Sequence, residues 1–369
     1  MKVTTIGLDI AKRVFALYWV EADSGEIKRR TLRRSQMLLW FARRERCVVA
    51  MEACGSAHYW GRELSKLGHE VRLLAPKFVR AFVKTNKTDA ADAQAIWECS
   101  QRPGMHTVAL KSETQQSVLA LHRVREQQVK MRSMYVNQLR GLMAEYGVEL
   151  PLGRVAGLKQ AGALLTEPGA VPELLRPILY AQLEQVRALD ARIEEIERAL
   201  GNWAKAQPGC VHVDKVPGVG ELTATAALAS MGEPKGYGSG RGFAASLGLV
   251  PAQSGTGGKV HLLKISKRGD PYLRKLLIHG ARSVVSAHRR KTNKGAEPQS
   301  QWLDRLLERR PFNVVVVAVA NKMARTIWAL VAHDCEYNPR FVPLKRPIDK
   351  DLKPNSTPPQ EITTVAQAE

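Results

Sequence analysis

Paired cysteines are missing from this chain. Cys47, Cys54, Cys99, Cys210 and Cys335 are scattered with no C-x-x-C pair, which excludes the usual zinc motifs and a disulfide framework and fits a reducing compartment. Acid is scarce: 35 Asp and Glu against 56 Lys and Arg leave a formal net charge of +21 and a pI near 10.0. No apolar run reaches the roughly 20 residues of a membrane helix. The first residues, MKVTTIGLDIAKRVFALYW, lack a signal peptide's unbroken apolar core because Asp9, Lys12 and Arg13 interrupt it. There is no internal repeat. These absences lead us to expect a cytoplasmic, nucleoid-associated protein with no membrane attachment. The surplus of cations points to a polyanionic partner, nucleic acid first. An anionic membrane surface is the weaker reading, since no basic amphipathic helix with an anchor accompanies it.

At 369 residues the chain is long enough for two or three domains. Strand-like runs at 3–11, 14–22 and 27–33, a helix at 35–46, a buried strand at 47–53, a helix at 57–68 and a strand at 70–76 give an α/β order with a mixed sheet. Residues 112–146 carry almost no Gly or Pro and suit one long helix. A second helix is expected over 173–206, where Val186, Leu189, Ile193, Ile196 and Leu200 alternate steps of three and four, an a/d seam. The seam fits a coiled coil that joins subunits or an intramolecular helical hairpin. Basic helical stretches follow at 271–291 and 312–333. The Pro-rich polar tail after about Phe341 is expected to be disordered.

Four carboxylates stand out. Asp9 lies inside the first strand, in GLDIA, flanked by apolar residues, where a charge is either buried at a cost or aimed at a ligand. Glu52 ends the fourth strand, in VVAMEACG. If those strands are neighbours, both acids emerge at the carboxyl edge of the sheet, where ligands gather. Asp89 and Asp92, in NKTDAADA, sit three apart on one helical face. Four converging carboxylates repel one another unless a divalent cation neutralises them, and hard oxygen donors select Mg²⁺ or Mn²⁺. Two such ions about 3.5–4 Å apart would clamp both oxygens of a phosphodiester. Each acid also has a bland reading: Asp89 as a helix N-cap, Asp92 as a first-turn acid favoured by the helix dipole, Glu52 as partner of an arginine such as Arg80.

Further along, KVPGVGELTATAAL (215–228) reads as a helix-hairpin-helix, in which Gly218 and Gly220 let backbone N–H groups approach a phosphate. The alternative is a plain tight turn between core helices. FAASLGLVPAQSGTGGKVHLLKISKRGDPYLRKLLIHGARSVV (243–285) then places Ser254 and Thr256 in a Gly-rich loop. Lys259, Lys264, Lys267, Arg268, Arg274, Lys275 and Arg282 follow, a set suited to phosphate contact, and Lys87 near the acidic pair is a further candidate. A serine among cations can act as a phosphoryl-transfer nucleophile, although most loop serines are only loop hydroxyls.

GLDIAK (7–12), MEACGSAHYW (51–60) and NKTDAADA (86–93) resemble the DEDD signature of insertion-sequence transposases whose catalytic domain is RuvC-like, with an RNase H fold. The run GLVP…SG…G…ISKRG resembles the second domain of the same family. The resemblance implies catalytic and metal-binding roles for Asp9, Glu52, Asp89 and Asp92 with Mg²⁺ or Mn²⁺. It implies Ser254 as the nucleophile, with Thr256 as the fallback because some branches place extra residues before the serine. It also implies DNA partners (element ends and target), a guide noncoding RNA, and a homo-oligomer, dimer or tetramer.

The expected organisation is therefore a RuvC-like mixed-sheet domain over 1–110, long coiled-coil or dimerisation helices over 111–208, a mainly helical serine-bearing domain with the helix-hairpin-helix over 209–341, and a tail over 342–369. Three other functions stay open on the residues alone. They are a metal-dependent nuclease that uses water as a junction resolvase does, a non-catalytic nucleic-acid-binding protein, and an actin-like ATPase. The last lacks the Gly-rich phosphate loops that it needs.

Overall fold

A computed structural model describes residues 3–83, 88–257, 259–293 and 300–339; Lys87 and the tail over 342–369 lie outside the described residues. The N-terminal part alternates strands and helices. β1 (Thr5–Ile10), β2 (Val14–Val20) and β3 (Ile27–Arg33) form an antiparallel meander. Then come α1 (Met37–Ala42), β4 (Val48–Glu52), α2 (Ala57–Lys66), β5 (Glu70–Leu74), α3 (Pro76–Val79), α4 (Asp89–Ser100) and the short β6 (Thr107–Val108). The six strands form one sheet in the order β3-β2-β1-β4-β5-β6. β4 runs parallel to β1 and to β5. The mixed α/β order expected from the sequence is present, consistent with an RNase H-like domain, and β1 and β4 are neighbours.

Side chains alternate across the sheet, as strand geometry requires. Ile6 and Leu8 of β1, with Phe15, Leu17 and Trp19 of β2, pack under α1 and α2 against Met37, Phe41, Trp60 and Leu64. Each fully buried Phe or Leu there contributes about 1.5–3 kcal/mol. The opposite face presents Gly7 and Ala50 to α4. A Cβ at Gly7 would lie 2.4 Å from the Ala93 carbonyl oxygen and 2.8 Å from the Trp97 Cβ. The bare glycine thus lets the helix lie directly on the strand. The Trp97 indole N–H donates to the Thr5 carbonyl at 3.0 Å and fixes the sliding position.

Among the described residues, the regular elements that follow are helices apart from one hairpin. α5 (Glu113–Ala144) opens with a capping box between Ser112 and Gln115 and, at 32 residues, runs about 48 Å. α6 (Arg154–Thr166) leads to α7 (Arg176–Lys205). The contacts Arg125 to Glu197, Arg132 to Asp190 and Gln182 to Gln138 show that α5 and α7 run antiparallel. Of the two arrangements open at the seam, the intramolecular hairpin is the one seen. Val186, Leu189, Ile193 and Leu200 are buried within the chain, so the seam does not offer an uncovered face for joining subunits.

α8 (Pro208–Asp214) and α9 (Glu221–Met231) flank the Val216–Gly220 turn. They are followed by α10 (Gly240–Ser246), the hairpin of β7 (Pro251–Thr256) and β8 (Lys259–Ile265), α11 (Pro271–Asn293), α12 (Gln301–Arg309) and α13 (Phe312–His333). By length and composition α13 is apolar enough to cross a membrane, with mean hydropathy 1.6, which corrects the expectation that no segment reaches that mark. Its Val315, Val316, Ala320, Ala324 and Ile327 are buried, and it packs against α8, α10 and α11. A buried histidine ties the helical part together. Thr225 on α9 donates to the Glu221 carbonyl at 2.7 Å, so its oxygen accepts from His122 Nε2 at 3.0 Å, and His122 Nδ1 accepts from the Tyr272 hydroxyl at 3.0 Å. Burial pushes the His122 imidazole down to about 4, which keeps that tautomer neutral.

The Gly7 contact is open to a direct test. Gly7→Ala is expected to lose roughly 1–3 kcal/mol of stability through overpacking, read as a lower urea midpoint. An equal or higher midpoint would mean that α4 can lift off the strand without cost.

Candidate active site

Strand and helix keep step at the acidic edge. Two residues of a strand advance about 6.6 Å and one turn of helix about 5.4 Å. Trp97 meets Thr5 and Ala93 meets Gly7, so the next step brings the first turn of α4 over Asp9. That turn holds Asp89 and Asp92. Its N-cap is Thr88, whose hydroxyl accepts from the Ala91 N–H at 3.2 Å. The capping role considered for Asp89 is therefore filled by its neighbour. Because Gly7 pairs with Ala50 and Leu8 with Met51, Glu52 follows on β4 beside Asp9, on the same face of the sheet.

The electrostatics record this convergence. Burial, then the charges of Asp92, Asp89 and Glu52, push the Asp9 carboxyl up to about 6 from its ordinary 3.8. Burial and the charges of Glu52 and Asp9 also raise the Cys54 thiol, which keeps it protonated and agrees with its reading as inert. Among the described residues, no three His, Cys, Asp or Glu side chains stand together as a ready-made metal-ligand group. The acids influence one another through space but are not gathered into a closed cage. Such spacing is what mutual repulsion between carboxylates favours. Their donor set is carboxylate oxygen alone, which fits a hard divalent cation. His58, next to the acidic edge, is a packing residue. Its Nδ1 accepts from the Lys111 N–H at 3.3 Å, and burial with Lys111, Arg62 and Arg123 pushes it down to about 4.

Ser254 and Thr256 lie not in a loose loop but in β7, paired with β8 in register: Ser254 opposite His261, Thr256 opposite Lys259. Apart from Ala252, Pro251–Thr256 is exposed, as is β8 up to Lys264. The motifs at the base of the hairpin knit it to the helices. Gly248 and Gly269 have φ of +68° and +77°, and a Cβ on either would strike backbone, Arg268 at 2.4 Å and the Ser246 carbonyl at 1.7 Å.

The expected phosphate contacts divide. Lys259, Lys264, Lys267 and Arg268 are exposed. Arg274 instead donates to the Leu247 and Arg268 carbonyls at 2.8 and 3.0 Å, and Lys275 pairs with Glu126 of α5. Both are tied down because unpaired carbonyls and an acid from elsewhere in the chain reach them. Gly218 has φ of +83° and faces the Gly280 carbonyl, 2.7 Å from where its Cβ would sit, so it serves the packing of α9 on α11. Gly220 has open space beside it and lines a cleft with Thr223, His279, Arg282 and Ser283. Sequence reasoning missed Gly7 and His261. The first carries no local turn signal, and the second becomes visible only with the strand register.

Comparison with known proteins names the class. Residues 6–148 match the DEDD-type IS110 model, described as "Transposase", and residues 210–296 match the model described as "Transposase IS116/IS110/IS902 family". The chain is 45% identical over 341 residues to the "Probable family 20 transposase" of Pseudomonas aeruginosa, covering 92% of this chain and 100% of that one. It is 40% identical to the "Transposase for insertion sequence element IS1328" of Yersinia enterocolitica, over 89% of this chain and 96% of that one. With the "Transposase for insertion sequence element IS1111A" of Coxiella burnetii it shares 38% identity over 91% of each. The fold and the matches define an enzyme that moves DNA segments. The chain belongs to the IS110/IS116 family of insertion-sequence transposases, and its DEDD domain goes with divalent-metal dependence in general.

The crowding at Asp9 has a signed consequence for the protein freed of divalent cations. Its folded-state carboxyl is raised, so the stability tied to it is fully present below 3.8 and is lost as pH rises through about 6. Asp9→Asn should therefore raise the urea midpoint at pH 7.5, with the gain shrinking toward pH 4. A lower midpoint at pH 7.5 would contradict the convergence of the acids on Asp9.

Proposed function

We propose that this transposase cuts and rejoins DNA by transesterification at Ser254, assisted by a divalent-cation site of Asp9, Glu52, Asp89 and Asp92. The observation that carries the reading is the placement of Asp9, Glu52 and the first turn of α4, with Asp89 and Asp92, at one sheet edge, where burial and the other acids push the Asp9 carboxyl up to about 6. A patch so negative repels a phosphodiester until a cation is added, and its all-oxygen donors suit Mg²⁺ or Mn²⁺. When bound, the cation supplies Lewis-acid polarisation of the scissile phosphate. Everything else is work for the chain's own groups. Ser254 presents a hydroxyl on an exposed strand, free to meet a DNA backbone that a core residue could not reach. Lys259, Lys264, Lys267 and Arg268 hold that backbone by charge, which gives affinity with little base discrimination. Gly220 opens the N-terminus of α9 to a phosphate beside Arg282.

Weak base discrimination by these contacts leaves site choice to another component. We assign it to a guide noncoding RNA that pairs with element ends and target. The net charge of +21 accommodates both polymers. A homo-oligomer, dimer or tetramer, brings the acids of one subunit to the serine of another. The α5–α7 seam itself is buried inside the chain.

A denaturant-resistant protein–DNA adduct, assayed with element ends, target DNA, the RNA transcribed beside the gene and Mg²⁺, is the test. Ser254→Ala should lower adduct and strand exchange by at least about 10³-fold, Thr256→Ala should keep both, and Asp9→Asn or Asp92→Asn should abolish turnover with folding intact. Metal-dependent cleavage by Ser254→Ala with no adduct from any variant would favour water as the nucleophile.

A further inference from the structure

We infer that His261 is the general base that takes the proton from Ser254, a role that rests on Ser254 being the nucleophile. The carrying observation is the hairpin register: Ser254 and His261 are directly opposed across β7 and β8. In an antiparallel pair such residues project from the same face with Cβ atoms about 4.5–5.5 Å apart, within reach of a serine hydroxyl and an imidazole nitrogen. The pinch point lies beside them. Gly255 faces Val260, and a Cβ there would lie 2.1 Å from the Lys259 carbonyl oxygen, so the missing side chain lets the two backbones close up next to the serine.

The two faces of the ribbon differ in chemistry. Ser254, Thr256, Lys259 and His261 share one face, while Gln253, Gly255, Val260 and Leu262 share the other. The Ser254 side thus holds a nucleophile, a base and a cation within two cross-strand pairs. β7 brings no titratable side chain, so the charged groups on the hairpin are Lys259 on the same face and Lys264 at the pairing irregularity beyond Leu262. Histidine is the side chain suited to exchange protons near neutral pH, and here it is one strand away from a hydroxyl that is a poor nucleophile while protonated.

The step balances. Oγ of Ser254 attacks phosphorus, the Oγ–P bond forms and its proton moves to the imidazole. The P–O bond to the leaving deoxyribose oxygen breaks, that oxygen departs with the electron pair, and the imidazolium gives up its proton to it directly or through water. Rejoining runs the same path backwards: the incoming hydroxyl loses its proton to His261, and Ser254 Oγ leaves and is reprotonated.

The test compares single-turnover adduct formation by wild type, His261→Ala, His261→Gln and Ser254→Ala, each at saturating DNA, RNA and Mg²⁺ from pH 5.5 to 8.5. For both His261 variants we expect a loss of about 10²–10⁴-fold, disappearance of the acidic limb of the pH–rate profile, unchanged DNA affinity and partial rescue of His261→Ala by free imidazole. Melting curves should match wild type, since the residue is exposed. Rates within threefold of wild type with the same pH profile, while Ser254→Ala is inactive, would overturn the role of His261 and leave the serine reading standing. Weaker DNA binding with an unchanged saturated rate would also overturn it, marking His261 as a phosphate contact. An adduct formed by Ser254→Ala would remove the nucleophile and the base together.

Discussion

The arrangement at the acidic edge depends on one contact, the seating of α4 on β1 across a residue with no side chain. Gly7 brings helix backbone to within van der Waals distance of the strand, and the Trp97 indole bonded to Thr5 sets where along the strand the helix rests. With those two fixed, the near match between a helical turn and two strand residues delivers Asp89 and Asp92 to Asp9 without a dedicated loop. The acids are thus mounted on rigid elements at both ends, which is how a site that must hold several like charges keeps its geometry. Burial of Phe15, Leu17, Met37 and Phe41 on the far face supplies the stability that offsets the repulsion.

The serine is mounted in the opposite manner. It rides on a narrow two-stranded ribbon, exposed almost throughout, whose base is knitted by Gly248, Gly269 and the Arg274 guanidinium. The acids are held in a packed three-layer sandwich and the hydroxyl is offered on an arm. This division suits the proposed reaction, in which one phosphodiester meets both groups and is then exchanged for another. The His122 network, shared by α5, α9 and α11, joins the long helix that leaves the sheet domain to the helices that carry the arm.

Much of this was legible in the residues. The succession of strands and helices up to Leu74 could be read from the apolar runs and the breaks between them, whereas the shared edge of Asp9 and Glu52 hung on strands one and four being neighbours, which only the pairing shows. Other features were hidden for definable reasons. Pro251, Gly255 and Gly257 spell a loop, yet Lys259–Ile265 offers a strand with which they pair, and cross-strand context outweighs local propensity. Asn321, Lys322 and Arg325 made α13 look too polar for its true length of apolar surface. Arg274 and Lys275 read as phosphate ligands because a sequence shows a charge and not its partner, and Glu126 is 149 residues away from Lys275. The steps of three and four in α7 specify an apolar stripe without saying whose helix covers it.

The ribbon register constrains how this arm can change over evolutionary time. Side chains alternate faces along a strand, so gaining or losing a single residue between Ser254 and His261 by a slip in pairing would turn one of them to the far side. Length changes confined to the bend at Gly257, where the pairing is already complete, leave the opposition intact. Related arms of different span should therefore vary at their tips and preserve the parity of their ladders.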